Sequence, residues 1–373
     1  MRLSPYLDDD PRKPISERPR TIANQPLTST STGQIIPVVF GTNRVTPVTI
    51  YYKALAVSQP GFTPYVFLQA LCDGSIASVF NVWDDYGMVA WPGRQWWPGS
   101  TFYTLYNGYA GASKGLDALV HAYYPADDLR YSSITHVSRI QVLSADGSGA
   151  PSRAQSFEVK GGWAFGALAD AHPADVITQI LTNSIYGGGF PAANLDTFSS
   201  ADIYAYWAAF GFFISPVYTE QSTLSSVLGD LLATLNAEAV WSEDRLKIVS
   251  YGDQTGTGNG YTFTPNLTPI YDLTDDDFQP SGSGSGGDDI GAQEAEDPIE
   301  VDVLAPADRY NVVRIEILDR ANAYATYICE AKDQVAIDQY GPRIMDTIAA
   351  HWICTPALGA AMAQLILQRQ VYL

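Results

Sequence analysis

The sequence predicts an α+β, multidomain chain in which two β-rich regions flank a small unit of three helices and a β-hairpin. Two observations predict it. Between His172 and Gly252, apolar residues recur three times at helical spacing, and an alternating two-strand ribbon follows. Before and after that stretch, short β-branched and aromatic runs are punctuated by Gly, Pro and Asp, which is strand-and-turn chemistry.

The central unit is the most regular part. Its first helix opens on Pro173, where a missing N–H costs nothing, carries Val176, Ile177, Ile180 and Leu181 on one face, and stops at Gly187-Gly188-Gly189. The second is expected to start from a Ser199-x-x-Asp202 capping box and to run through Ile203, Tyr206, Trp207, Phe210, Phe213 and Ile214 until Pro216. A third follows Ser222, with Leu224, Val227, Leu228, Leu231, Leu232 and Leu235 at i, i+3, i+4, i+7, i+8 and i+11. That spacing marks a one-sided buried face, on which an Asp at Leu228 or Leu231 should abolish folding. Ala239/Trp241 and Leu246/Ile248 then alternate across Ser242-Glu243-Asp244-Arg245 as a hairpin. These stripes are core signals; they carry no chemistry of their own.

Residues 1–32 read as an extended arm, because Pro5, Pro11, Pro14 and Pro19 interrupt regular structure. Residues 33–171 form the first β-rich region, with strands expected at Ile35–Phe40, Val48–Tyr52, Pro64–Cys72, Ser75–Trp83, Ile134–Leu143 and Ser156–Val159. Within it, about 86–131 is an aromatic- and Gly-rich insertion with a short helix at Leu116–Ala122. Residues 172–252 are the helical unit. Residues 253–373 form a second β-rich region, with strands at Tyr261–Phe263, Pro269–Leu273, Asn311–Leu318 and Tyr324–Glu330, and a last helix from Thr355-Pro356. Val371-Tyr372-Leu373 reads as the start of a further strand, so the fold is expected to continue past residue 373 or to meet a partner strand. From Asp272 to Asp302 there are eleven Asp or Glu and no Lys or Arg, and the Gly/Ser-rich part at 280–297 reads as a flexible acidic loop.

Composition excludes more than it assigns. A net charge of −19 over 373 residues argues against tight binding to nucleic-acid phosphates, which needs clustered Lys and Arg. Cys72, Cys329 and Cys354 are far apart and show no C-x-x-C spacing, so they read as reduced, buried thiols. The first thirty residues lack the apolar core of a signal peptide, and no run approaches a membrane span.

The chemical motifs are each outweighed by a plainer reading. Gly111-Ala112-Ser113-Lys114-Gly115 matches the nucleophile elbow, but that elbow needs a buried strand before it, and Asn107-Gly108-Tyr109-Ala110 is turn sequence. Gly282-x-Gly284-x-x-Gly287 matches the dinucleotide fingerprint inside a Gly/Ser repeat, where Asp288-Asp289 would repel a pyrophosphate. Asp275–Asp277 and Asp288-Asp289 lack the alternating ligands of a calcium loop. His121, His136, His172 and His351 have no zinc spacing. The aromatic belt at 86–131, with Trp96 and Trp97, suits packing within or between subunits better than stacking on a carbohydrate. The sequence therefore nominates no catalytic residue, no cofactor-binding residue, no metal ligand and no cofactor.

The ordered segments carry a resemblance instead. The run Pro173-Ala174-Asp175 through Leu181-Thr182-Asn183 to Tyr186-Gly187-Gly188-Gly189-Phe190-Pro191 is similar to the central part of phage tail-tip hub proteins. So are Ala208 to Ser215 and the Trp241 to Val249 hairpin. Ile36 to Gly41 with Arg44-Val45, Leu71-Cys72-Asp73-Gly74 to Trp83, Tyr271 to Phe278, Glu330 to Gln334 and Tyr340-Gly341-Pro342-Arg343 follow in the same order. The chain thus resembles the lambda-type tip attachment, or host-specificity, proteins and the baseplate hubs of siphophages and gene transfer agents. The resemblance implies barrel-like β-rich hub domains and a non-enzymatic, structural role. It also implies a homotrimer closing the distal tail tube at the tip of the virion, assembled in the host cytoplasm. Implied neighbours are a ring of distal tail protein, the tape-measure protein, and tail fibre or receptor-binding proteins, with DNA passing through without specific binding. The contrasting readings are a tail-associated peptidoglycan hydrolase and a carbohydrate-binding module.

Overall fold

The structure is a computed structural model that describes residues 34–55, 62–84, 87–93, 103–108, 117–127, 131–144, 155–196, 203–269, 271–274, 277, 305 and 309–372. The expected arm, the Ser199-x-x-Asp202 box and the 280–297 loop lie outside these residues.

The first region is built from β1 (Val38–Val39), β2 (Thr42–Val45), β3 (Val48–Ala54), β4 (Phe62–Asp73), β5 (Ser78–Asp84), β6 (Gly87–Ala90), β7 (Thr104–Tyr106), α1 (Ala118–Tyr123), β8 (Ile134–Ser144) and β9 (Ser156–Lys160). Two four-stranded antiparallel sheets result, in the orders β2-β9-β5-β6 and β3-β4-β8-β7. Val45, Val79, Val82, Phe157 and Val159 of the first sheet share a core with Leu71, Cys72 and Val137 of the second. The long β4 serves two cores because its pairing with β8 slips between Ala70 and Cys72. An extra residue in one strand resets the two-residue alternation of faces. Val66 and Leu68 accordingly pack with Val120 of α1, while Leu71 and Cys72 face the other sheet.

The central unit contains α2 (Pro173–Thr182), α3 (Ile203–Phe210), β10 (Val217–Tyr218), α4 (Leu224–Thr234), β11 (Ala237–Ser242) and β12 (Arg245–Ser250). The hairpin pairs Ser242 with Arg245, and Glu243 and Asp244 both adopt left-handed φ, as a two-residue turn matched to strand twist requires. Three expectations are corrected. The first helix ends at Thr182, capped by Asn183, and not at Gly187-Gly188-Gly189. The second helix stops at Gly211 (φ +72), well before Pro216, so Phe213 and Ile214 lie in extended chain. The third helix is capped by Thr223, whose side chain accepts from Ser226 N, and not by Ser222. Trp241 is 63% exposed, so the inward face of the hairpin rests on Ala239, Leu246 and Ile248.

The last part comprises β13 (Gly256–Gly258), β14 (Tyr261–Phe263), β15 (Val312–Asp319), β16 (Ala325–Lys332), α5 (Gln334–Tyr340), β17 (Ile348–Ala349) and α6 (Pro356–Tyr372). The small β13-β14 ribbon packs on α3, with Phe263 edge-on to Tyr206 at 4.9 Å between ring centroids. The sheet order β16-β15-β17 sets β15 antiparallel to β16 and parallel to β17, and α6 covers one face. Three further expectations change here. Residues 271–274 form no strand, α5 and β17 stand where the sequence pattern marks no element, and Val371 and Tyr372 continue α6.

One core runs through most of this. Val38 and Phe40 join Ile177, Leu181, Trp207, Ile214, Leu231 and Leu235 of the helical unit, and the same cluster continues into Val313, Ile315, Ile317, Met362 and Ile366. β1 also pairs directly with β10, Val38 opposite Tyr218. The architecture is therefore mixed α+β with several sheets tied through shared side chains.

Leu231 is 1% exposed, whereas Leu228 is only half-buried. We expect Leu231→Asp to give no cooperatively melting protein and Leu228→Asp to stay folded with a lowered Tm. Leu231→Ala should cost about 3 kcal/mol through lost contacts and a partly unfilled space. Circular dichroism melts of the three variants check this, and a cooperative melt for Leu231→Asp would refute the buried-face reading.

Candidate functional site

The residues nominated for chemistry by motif do not come together. Gly111–Gly115 and Gly282–Gly287 lie outside the described residues, as do Trp96 and Trp97. The four histidines sit on α1, on β8, before α2 and before α6, each with its own surroundings. His136 faces Ile134 O at 3.3 Å through Nδ1 and Asp117 Oδ2 at 3.4 Å through Nε2, so neither nitrogen is placed to take a proton from a nucleophile. His351 is exposed and bonds Glu316 at 2.7 Å. Among the described residues no group of three or more His, Cys, Asp or Glu is placed to hold a metal ion. All three cysteines are buried and free, and burial pushes the Cys72 and Cys354 thiols up to about 12, far from thiolate reactivity. In the aromatic belt, Trp91 stacks on buried Tyr103, Tyr106 stacks on His136, and Tyr131 packs edge-on to His136. These rings pack within the chain.

What the fold does assemble is a polar junction where three distant segments meet. Gly41 starts it. Its φ of +61 is one that side chains avoid, and an added Cβ would lie 2.3 Å from Ser215 Oγ and 3.0 Å from Ala171 N. The close approach puts β2 against the ends of the helical unit. Thr42 N donates to Ser215 Oγ at 3.0 Å, Asn43 Nδ2 donates to Ser215 O at 2.7 Å, and Thr42 Oγ1 donates to Ala169 O at 2.8 Å.

Arg320, on the turn after β15, enters this corner from the last part of the chain. Its Nη1 donates to Asp170 Oδ2 at 3.2 Å and its Nη2 to Asp170 Oδ1, a two-point pairing. Nη2 also reaches Thr42 O at 2.9 Å and Ser215 Oγ at 3.3 Å. Ser215 Oγ in turn donates to Asp170 Oδ1 at 2.6 Å. Burial alone would lower the Arg320 pKa, but the hydrogen bonds and charge of Asp170 outweigh it and raise the value, so the guanidinium stays charged.

Tyr324 extends the network into the first sheet. Its hydroxyl accepts from Arg320 Nε at 3.3 Å and donates to Glu158 Oε1 at 2.8 Å, and Asn81 bonds the other Glu158 oxygen. Burial, reinforced by the Glu158 charge, raises the Tyr324 pKa and keeps the hydroxyl a donor. Ala323 and Tyr324 both carry left-handed φ, 53° and 61°, a conformation the surrounding bonds must hold. Arg44 adds a second tie: its Nε bonds Ser156 Oγ at 2.6 Å, its Nη1 bonds Ala323 O at 3.1 Å, and its guanidinium lies 4.6 Å over Trp83.

Asp170, His172 and Ser215 have the residue types of a hydrolytic triad without its wiring. His172 Nδ1 accepts from Ala174 N at 3.2 Å, capping α2, and its Nε2 then carries the proton and donates to Tyr204 O at 3.2 Å. Both nitrogens are used, so His172 is no base for Ser215, whose hydroxyl ties to Asp170 instead. Burial lowers the His172 pKa to about 4, against the Tyr204 carbonyl, which raises it; the ring stacks on Tyr204 at 3.7 Å. The junction holds segments in register. Sequence reading missed Asp170, Ser215, Arg320, Tyr324 and Glu158 as a set, since up to 166 positions separate bonded partners. The local signal was Gly41, which ends one of the family-like segments, and Ser215, which ends another.

Against models of protein families, residues 223–373 match the family described as putative phage tail protein. Among solved structures, the chain is similar to a chain from the virion of a native gene transfer agent particle. The TM-score is 0.61 at 16% identity, covering 92% of this chain and 74% of that one. At that identity the likeness establishes the fold. No curated protein matches the chain.

Two outcomes follow from the geometry. Asp170→Ala and Arg320→Met should each cost about 2–3 kcal/mol, because each leaves a partly buried partner unpaired, and the double variant should cost clearly less than their sum. Denaturant melts of the four proteins check this; strict additivity would show that the pair is not coupled. For His172, the unfolded chain gains a proton near pH 6.5 while the folded one resists until about 4. Stability tied to this ring is complete above that window and is lost as pH falls from 6.5 to 4, by roughly 3 kcal/mol. His172→Asn, which keeps a capping side chain, should show a shallower loss of Tm over that range than the unaltered protein.

Proposed function

We propose that the chain is a structural hub of a phage-type tail tip, because residues 223–373 match the model of the family described as putative phage tail protein and the chain has the fold of a gene-transfer-agent virion chain. In this reading it resides in the virion as a homotrimer that closes the distal tail tube and opens for DNA ejection. Its neighbours are a distal tail protein ring, the tape-measure protein, and tail fibre or receptor-binding proteins. Residues 33–171, 172–252 and 253–373 act as its three hub units, the outer two barrel-like, and residues 1–32 as an arm.

The observation that carries this reading is the Arg320 junction together with the shared core. Both tie segments that are far apart in sequence into one body, which is what a load-transmitting part needs, and the polar side chains at the junction are committed to holding it. The charge of −19 supports passage of DNA without retention, since an acidic lumen repels a polyanion.

Cryo-EM of particles carrying the protein tests the reading. We expect three copies around the tail axis at its distal end, and monomeric protein remote from the tip would sink it. Zymography on host peptidoglycan separates this role from a hydrolase: we expect no clearing, whereas clearing abolished by replacing a single Asp or Glu would replace the structural reading.

A further inference from the structure

At one end of the core between the two four-stranded sheets lies a second polar cluster that the junction does not use. Arg139 of β8 is 2% exposed, and its guanidinium lies 4.4 Å over the ring of Tyr103. Tyr103, itself buried, packs edge-on to Phe157 at 5.0 Å and donates its hydroxyl to Gln155 Oε1. Arg139 and Gln155 are thus held on the same tyrosine. Arg139 Nε, Arg139 Nη2 and Gln155 Nε2 are all buried and have no hydrogen-bond partner among the described residues. Asp84 is the acid whose charge reaches Arg139, yet it does not bond this edge.

The identity of the unused atoms matters. Nε and Nη2 form one side of the guanidinium plane, where two parallel N–H bonds match the two oxygens of a carboxylate. A buried charge with that edge unmet is costly, and a buried amide N–H beside it adds a third donor and no acceptor. We propose that Arg139 and Gln155, positioned by Tyr103, form a receptor for a single carboxylate group. Two sources share that chemistry: a free small carboxylic acid, or an Asp or Glu side chain of a second copy of this acid-rich chain. A single-point anion such as chloride uses only one of the two parallel donors and so binds more weakly.

The test melts the full chain at pH 7 while sodium acetate replaces sodium chloride at constant ionic strength, and follows its mass by sedimentation. If a free acid is the occupant, acetate raises the Tm of the unaltered protein in a saturable way. The half-saturating concentration should then rise at least about tenfold in Arg139→Gln. Gln155→Leu, which removes the Nε2 donor together with the acceptor of the Tyr103 hydroxyl and no charge, should raise it several-fold, and it carries the test should Arg139→Gln not fold. If a second copy supplies the carboxylate, acetate instead lowers the sedimenting mass, and the same variants lower it without acetate. The proposal is overturned if acetate and chloride act alike on both Tm and mass, or if the acetate effect survives unchanged in the variants.

Discussion

The pairing of Asp170 with Arg320 is the contact on which the arrangement of this chain rests. A charged guanidinium at a partly buried corner is tolerated only with its donors met, and here they are met from four sources at once. The carboxylate comes from the stretch before α2, a backbone carbonyl from β2, a hydroxyl from Ser215, and a phenol from the turn after β15. Apolar faces can slide over one another at little cost, whereas a planar fork that must satisfy Asp170 and Thr42 together accepts one relative position. The junction therefore adds registration to the cohesion that the shared core supplies.

That division of labour explains features that look odd one at a time. Gly41 is left-handed because Ser215 must approach within reach of Thr42 N. Tyr324 is held at a positive φ because its hydroxyl has to bridge Arg320 and Glu158 while its ring sits edge-on to Trp83. Ser215 and His172 carry hydrolase-like side chains, yet each is spent on architecture, one as a tie and the other as a helix cap. Under the hub role proposed above such commitments are the function: segments contributed by the beginning, middle and end of the chain would have to behave as one body when neighbouring parts of a tail push on them.

The sequence by itself determined the elements whose signals are local. The i, i+3, i+4, i+7 spacing of α4, the proline at the first position of α2, and the alternation across Glu243-Asp244 each depend on residues within a few positions, and each is where the pattern placed it. So did the order of family-like segments, because collinearity is a property of the chain alone. Where local signals competed, the reading slipped. Phe213 and Ile214 continue the apolar stripe of α3 and are buried, but Gly211 turns the chain and they are buried as extended residues.

Only the tertiary structure decided what those elements are for. The junction joins Thr42, Asp170, Ser215 and Arg320, whose spacings of 173, 150 and 105 positions leave no periodic trace. The second polar cluster is equally silent in sequence, since Arg139 on β8 and Gln155 just before β9 look like ordinary surface residues until the fold turns them inward. A periodic pattern records which side of an element faces apolar surroundings. It cannot record which polar atom of a distant segment will stand opposite, because that is fixed by how whole sheets and helices dock.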